Sequence, residues 1–399
     1  MQIKYLLNEN GEPDKNMGID YDWNFLKKEY KKLKCPPYVY SPLKLPLANT
    51  PYHVLMSERE TGKTTNLLLF GMLMHKHYGT VIQYIRQSED MIMNKTIQEL
   101  FKTIREFNYI PKITDGQYND VIYNARKWYY VLRDEDGNII EKANTHIMYC
   151  LSIDKNEMFK SSYNAPLGDW IIVDEFISKR YRMNEFVYLM DLISTIKRAR
   201  MSVRIVLLAN TIDPHSEYFN EFEIYDQVQL LEEGQSEILT TELGTKIYIE
   251  WIKSGKSDTV KQKLNTMYFG FKNPRLSAIT GGSWATNNYP HFMEEYTVLE
   301  RGIYVEYHDR ILAIDIVQYE DIGIFLHVRK GTKTYDDSII YSLNEPKDHR
   351  YRFYMGRGDN LDKWIVSMVQ NHRVKFQNNA VATMFFNHFN KKDAKKAGY

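Results

Sequence analysis

The chain has 399 residues, 43% of them hydrophobic and 26% charged, with 52 Lys and Arg against 51 Asp and Glu. That composition excludes wholesale disorder, and at roughly 100–200 residues per domain the length predicts two domains. Two cysteines, Cys35 and Cys150, are too few for a disulfide framework or a four-ligand zinc site, and the longest apolar stretch, Leu67 to Met74, is far shorter than the roughly 20 residues that cross a bilayer.

The start of the chain, Met1-Gln-Ile-Lys-Tyr leading into Asn8-Glu-Asn-Gly-Glu, carries no signal-peptide pattern, so a soluble intracellular protein is expected. From Trp251 onward there are 22 Lys and Arg against 16 Asp and Glu, which leaves 30 against 35 for residues 1–250. An acidic front and a basic back fit a chain whose parts have different partners. The 31 tyrosines are in excess, and composition offers no reason for them.

In chain order, a charged and aromatic helix is predicted over Tyr21 to Leu33, followed by an extended run marked by Pro36, Pro37, Pro42 and Pro46. Tyr52 to Ser57 reads as a buried strand, Lys63 to His77 as a helix, Thr80 to Arg86 as a strand and Met91 to Phe107 as a helix. Trp128 to Leu132 reads as a hairpin arm with its turn at Asp134-Glu-Asp-Gly. Trp170 to Asp174 is a second buried strand, Glu185 to Arg198 a helix, and Arg204 to Ala209 a third strand. Strands alternating with helices predict an α/β domain with a mainly parallel sheet covered on both faces.

That rhythm ends near Phe222. The acidic stretch Glu221 to Glu242 and the segment Lys253-Ser-Gly-Lys-Ser read as a lid or linker, and Gly281 to Asn288 as a loop. Gly302 to Tyr307, Ile311 to Val317 and Gly323 to Val328 follow as three strands at meander spacing, then helices over Asn360 to His372 and Asn378 to Phe389 and a basic tail. The expected division is an α/β domain over 1–225 with an N-terminal extension over 1–50, a lid or linker over 226–290, and an α+β domain over 291–399.

Chemistry concentrates in Ser57-Glu-Arg-Glu-Thr-Gly-Lys-Thr-Thr65, between a strand and a helix. Phosphate binding needs backbone N–H groups at a helix N-terminus, a lysine for the β- and γ-phosphates and a hydroxyl for Mg²⁺. Gly62 permits close backbone approach, Lys63 supplies the charge and Thr64 the hydroxyl, with Thr61 and Thr65 completing the loop. Ser57 stands where G-x-x-x-x-G-K-[ST] has its first glycine. About 110 residues on, Trp170-Ile-Ile-Val-Asp-Glu-Phe ends an apolar strand in two acids. Asp174 is expected in the Mg²⁺ shell and Glu175 to polarise the attacking water. Both would lie at the carboxyl edge of one parallel sheet, where α/β ligands bind. ATP and Mg²⁺ are the expected cofactors.

On these residues the chain resembles the large-terminase and DNA-packaging ATPases of tailed bacteriophages, whose phosphate loop has the form [GS]-x-R-x-x-G-K-[ST], matched by Ser57, Arg59, Gly62, Lys63 and Thr64. The likeness is closer to the phi-29-like packaging motors in Val173-Asp-Glu-Phe-Ile, Leu189-Met-Asp, an arginine cluster, Leu208-Ala-Asn-Thr, and Leu151-Ser followed by Lys160-Ser. It covers residues 52–225 well and is faint beyond. The resemblance implies a P-loop ATPase of ASCE type followed by an RNase H-like, vestigial nuclease domain. It implies Arg59 as the phosphate-loop arginine, Asn210 in a coupling motif, and Arg198 as the arginine supplied in trans to a neighbouring subunit, with Arg200 a competitor and Lys160 a second trans-acting residue. It further implies a homo-oligomeric ring, a pentamer by likeness, with double-stranded DNA, a capsid portal or connector and a packaging RNA as partners. Its place would be the host cytoplasm, docked transiently on the procapsid, with no membrane.

For the second domain, nuclease chemistry needs several carboxylates converging on two metal ions. Asp315, Asp336, Asp337 and Asp359 are present without a context that marks them as such a set, so a basic, nucleic-acid-binding domain is favoured over an active nuclease. Charge-based contacts to DNA phosphates are expected of Lys253, Lys256, Lys261, Lys263 and the tail. A non-phage ring ATPase, a nucleotide-gated scaffold and a terminase with active nuclease are the alternative readings.

Overall fold

The computed structural model describes residues 3–58, 61–160, 167–177, 184–210, 215–253, 255, 289–292, 295–307, 310–342, 346–352 and 360–388. The chain divides into two compact units, residues 1–212 with 221–285, and residues 213–220 with 286–399. Among the described residues no helix is long and apolar enough to cross a membrane.

The first unit begins with α1 (Trp23–Lys32), started by Asp22, whose carboxylate accepts from the Phe25 N–H. A ten-stranded sheet follows, made of β1 (Tyr52–Ser57), β2 (Ile82–Arg86), β3 (Asp120–Asn124), β4 (Lys127–Arg133), β5 (Ile139–Lys142), β6 (Met148–Ser152), β7 (Trp170–Asp174), β8 (Arg204–Asn210), β9 (Ser236–Thr240) and β10 (Lys246–Trp251). Its order is β3-β4-β6-β2-β7-β8-β1-β10-β9, with β5 paired to β4. The six strands from β6 to β10 along that path are parallel, and antiparallel strands close both edges. β8 lies between β1 and β7, so the loop after β1 and the acids ending β7 are held two strands apart at one sheet edge. This is the P-loop α/β architecture that the sequence predicts.

α2 (Lys63–Tyr78) is apolar almost all round, and accordingly buried from Leu67 to Met74. Gly71 lets it approach the sheet: a Cβ there would stand 2.7 Å from Ile82 and 2.9 Å from Trp170. The Trp170 indole N–H donates to the Leu67 carbonyl at 3.1 Å. α1 packs on α2, and α3 (Glu185–Lys197) lies between β7 and β8 in sequence.

Several expectations are corrected. Pro42 and Pro46 stand in the first turns of a 3₁₀ turn over Pro42–Lys44 and a short helix over Leu45–Ala48, not in an extended run. Proline is tolerated there because its missing N–H has no partner to lose. The helix expected over Met91 to Phe107 is broken into short turns. The stretch expected as lid or linker over 226–290 supplies β9 and β10, and β10 pairs in parallel with β1; the rest of it lies largely outside the described residues. The basic tail and the loop Gly281 to Asn288 lie outside them too.

The second unit holds β11 (Thr297–Tyr307), β12 (Arg310–Tyr319), β13 (Gly323–Lys330), β14 (Ile339–Ser342), β15 (Tyr351–Arg352) and β16 (Val374–Phe376), in the order β15-β14-β11-β12-β13-β16. The antiparallel meander β11-β12-β13 is continued by parallel strands on both sides. α4 (Asn360–Gln370) and α5 (Asn379–His388) pack on this sheet, with Phe376 against Phe385 and Phe386.

One motif recurs in both units. Tyr21, Tyr40, Tyr84, Tyr118, Tyr248 and Tyr341 each donate a phenolic hydrogen bond to a carboxylate, of Asp169, Glu250, Asp174, Glu141, Glu250 and Asp362 respectively. A phenol brings a large apolar ring together with a donor that can satisfy a desolvated acid. Part of the tyrosine excess is thereby accounted for.

Candidate active site

The loop between β1 and α2 turns on Gly62, whose φ of +73° and close neighbour, Val39 Cβ at 3.0 Å from any added Cβ, leave room for glycine alone. Lys63 follows as the first residue of α2 and is only 7% exposed. Its ammonium donates to Ser57 Oγ at 2.9 Å and to Asn210 Oδ1 at 2.7 Å. Ser57 also bridges the loop, with its hydroxyl 2.7 Å from the Glu58 carbonyl and 2.9 Å from Thr61 Oγ1. The serine in place of the first glycine thus orients the lysine through a hydroxyl that glycine lacks.

Asp174 ends β7 and is 6% exposed. The Thr64 hydroxyl lies 3.4 Å from both of its carboxylate oxygens. Glu175 follows with φ +52°, a strained left-handed conformation for a residue other than glycine. Asn210, ending β8, donates to Glu175 Oε1 at 3.3 Å. Thr61, Gly62, Lys63, Thr64, Thr65, Asp174, Glu175 and Asn210 line one cavity of about 390 Å³. Three separated segments of chain meet there because β1, β8 and β7 are neighbours in register, Ser57 opposite Asn210 and Asp174 opposite Leu208.

Two residues of the site were not anticipated. Tyr84 and Arg86 reach it from β2, on the far side of β7. The Tyr84 hydroxyl donates to Asp174 Oδ2 at 2.6 Å, and Arg86 lies 3.3 Å from Asp174 and 2.6 Å from Glu175. Burial and the neighbouring Asp174 charge hold the Tyr84 phenol well above its ordinary value, so it acts as a donor. Burial alone would lower the Arg86 guanidinium, but Tyr84, Asp174 and Glu175 together hold it above its usual range. The strand Thr80 to Arg86 was legible, but its place beside β7 was not.

No protein-family model matches this sequence, and no curated protein matches it. Solved structures do. The gp11 DNA-packaging motor of phage Phi-28 superposes with a TM-score of 0.55 at 17% identity, over 89% of this chain and 97% of that one. The genome-packaging motor assembly of bacteriophage Phi-29 gives a TM-score of 0.54 at 14% identity, over 90% of this chain and 99% of that one. The chain has the fold of a phage DNA-packaging motor.

Within that packaging-motor fold the remaining expected residues are distributed as follows. Arg198 directly follows α3 as its C-cap, exposed, with φ +49°. Arg200, expected as its competitor, is 5% exposed and donates to Asp169 at 2.6 Å and to the Ile196 carbonyl at 2.7 Å. A guanidinium committed to a fully buried aspartate cannot reach a neighbour's nucleotide, so Arg200 is a structural residue. Lys160 ends a short helix over Asn156–Lys160. Lys253 is exposed just beyond β10. Arg59, Lys256, Lys261 and Lys263 lie outside the described residues.

In the second unit Asp315 sits mid-strand on β12, 5% exposed, and receives Arg329 at 2.7 and 3.2 Å with Arg301 at 4.0 Å. Among the described residues no group of three or more His, Cys, Asp or Glu stands ready to hold a metal.

Proposed function

We propose that the chain is the ATP-hydrolysing motor that drives double-stranded DNA into a preformed viral capsid. The observation that carries this reading is the convergence of Lys63, Thr64, Asp174, Glu175 and Asn210 on one cavity at the carboxyl edge of a parallel sheet. In it Lys63 contacts the β- and γ-phosphates, Arg59 contributes charge from the loop, and Glu175 polarises the attacking water. The Thr64 hydroxyl and the Asp174 carboxylate, hard oxygen donors 3.4 Å apart, fit Mg²⁺ and would hold it. When bound, that ion neutralises charge on the phosphates. Asn210 touches both Lys63 and Glu175, which suits a residue that links the nucleotide to the rest of the motor.

Among the described residues, Arg86 pairs with both Asp174 and Glu175 and Lys63 lines the same cavity, so two acids and two cations stand there before any polyphosphate arrives. That balance supports a further cation supplied in trans, and exposed Arg198 is assigned that role in a homo-oligomeric ring, with Lys160 second. Withdrawal of Arg200 into the fold favours Arg198 between the two. Double-stranded DNA, a capsid portal and a packaging RNA are the proposed partners, with Lys253, Lys256, Lys261 and Lys263 among the phosphate contacts. The chain would work in the host cytoplasm, docked on the procapsid. The meander with flanking parallel strands supports an RNase H-like second domain, and the Asp315–Arg329 pair supports its being without nuclease activity.

The decisive experiment is Glu175→Gln. It keeps the size and neutralises the charge, so ATP binding stays near wild type while steady-state turnover falls by about 10²–10⁴-fold. Unchanged hydrolysis would remove Glu175 from the chemistry and leave a nucleotide-gated scaffold as the better reading.

A further inference from the structure

The first 50 residues precede the phosphate loop, yet they touch it at two points and reach it through Asn66 at a third. The Tyr40 N–H donates to the Thr61 carbonyl at 2.8 Å. Val39 packs against Gly62 so closely that a Cβ there would lie 3.0 Å from it. The Tyr30 hydroxyl, from α1, donates to Asn66 Oδ1 at 2.5 Å, and Asn66 Nδ2 donates to the Gly62 carbonyl at 2.8 Å, beside the Asn66 N–H at 3.0 Å. Tyr30 is 4% exposed and Asn66 3%, so these are desolvated bonds. Tyr40 is itself anchored: its hydroxyl faces Glu250 on β10, which Tyr248 and Lys44 also engage at 3.0 and 2.7 Å.

The loop needs such help. Gly62 gives it backbone freedom, and a flexible loop must surrender that freedom when its N–H groups wrap a phosphate. With the Thr61 carbonyl held by Tyr40 and the Gly62 carbonyl by Asn66, which Tyr30 holds in turn, the intervening peptide is fixed before a ligand arrives. From this geometry we infer that Tyr30, Asn66 and Tyr40 are positioning residues that pre-order the phosphate loop, so that the N-terminal segment completes the nucleotide site. The inference rests on the nucleotide reading of that site. It assigns these residues no contact with the ligand. Their effect is therefore equal on substrate and transition state, and appears in KM rather than kcat.

The test uses the full chain, titrated with a fluorescent ATP analogue and assayed for turnover. Tyr30→Phe keeps the ring and removes the hydroxyl; nucleotide affinity should weaken about 5–10-fold, with KM rising in step and kcat within about twofold of wild type. Tyr21→Phe is the control, because it also loses a buried phenolic bond, to Asp169, at a place remote from the loop. It should lose comparable stability and keep the wild-type affinity. Asn66→Ala should weaken binding similarly, and the double variant should be less than additive. Should Tyr30→Phe fail to fold, Asn66→Ala carries the test alone. Lys63→Ala separates the two levels of argument. If it abolishes binding while Tyr30→Phe and Asn66→Ala leave affinity unchanged, or if Tyr21→Phe weakens binding equally, the positioning role is overturned and the site stands. If Lys63→Ala binds like wild type, the nucleotide site falls and the inference with it.

Discussion

His53 is the second residue of β1, fully buried, its Nε2 3.1 Å from the Thr50 hydroxyl and 3.2 Å from the Leu45 carbonyl. Burial first, and then the charge of Arg204, push its imidazole down to about 3, so it is neutral in the folded chain. The unfolded chain takes up that proton near the ordinary value of about 6.5, which makes the stabilisation complete above 6.5 and progressively lost as pH falls toward 3. Between pH 7.5 and 5 this one residue should cost about 2 kcal/mol of unfolding free energy. Urea titrations at the two pH values should show that loss in the wild type and a smaller one in His53→Gln; an equal pH dependence would place the proton uptake elsewhere. The residues of the candidate site were easier to read from sequence than His53 was. Lys63, Thr64, Asp174 and Glu175 are tied by spacing to a strand end, so chemistry and chain position coincide. Tyr84 and Arg86 gave no such signal, because their role depends on which strand lies beside β7. Arg200 stood as a competitor of Arg198 because its partner, Asp169, is 31 positions away in sequence.

Asp169 also governs how elements are joined. It directly precedes β7, is fully buried, and accepts from Arg200 at 2.6 Å, Ser202 at 2.5 Å and Tyr21 at 3.1 Å. Ser202 Oγ accepts from the Ile19 N–H at 3.2 Å, and the Met201 N–H donates to the Met17 carbonyl at 2.8 Å. The turn after α3, which presents Arg198, is thus tied both to the start of β7 and to the N-terminal segment. Asp169→Asn would leave the Arg200 guanidinium buried without its counter-charge, a loss of about 3–5 kcal/mol measurable by chemical denaturation; a change below about 1 kcal/mol would mean the pair is replaceable. At this scale sequence reading succeeded for long, strongly patterned elements such as α2 and β7. It missed β6, a parallel strand whose Met148–Ser152 run is short and follows an unmarked loop. It also mistook the prolines before β1 for extended chain, since proline density alone does not separate a first helical turn from an open one.

Across the whole molecule the ten-stranded sheet falls almost wholly within the acidic front, residues 1–250, because β9 and β10, drawn from the stretch expected as linker, complete it. Sequence could not show this: an edge pair of strands looks like any surface hairpin until its partner, β1, is known. Two predictions belong at this scale. Plasmid incubated with the protein and Mn²⁺ should remain uncut, because the Arg329 guanidinium stands at the carboxylate of Asp315; cleavage that disappears in Asp315→Ala would restore the nuclease alternative. Doping Arg198→Ala subunits into wild-type assemblies should reduce ATP turnover more steeply than in proportion to their fraction, as expected when a residue serves its neighbour's site. Strictly proportional loss would confine Arg198 to its own subunit.

The tyrosine–carboxylate pairs have an optical consequence. Exposed phenols ionise near pH 10, and the tyrosinate formed absorbs at longer wavelength. Tyr21, Tyr40 and Tyr84 are held well above that value by burial and by the acids beside them, so they stay protonated while the chain is folded. Their contribution to stability is complete below pH 10 and is lost as alkali rises beyond it. An alkaline titration should accordingly show two populations: a reversible one from surface phenols, and a second that appears only with unfolding. That second step would make the protein its own reporter of unfolding, without an added dye.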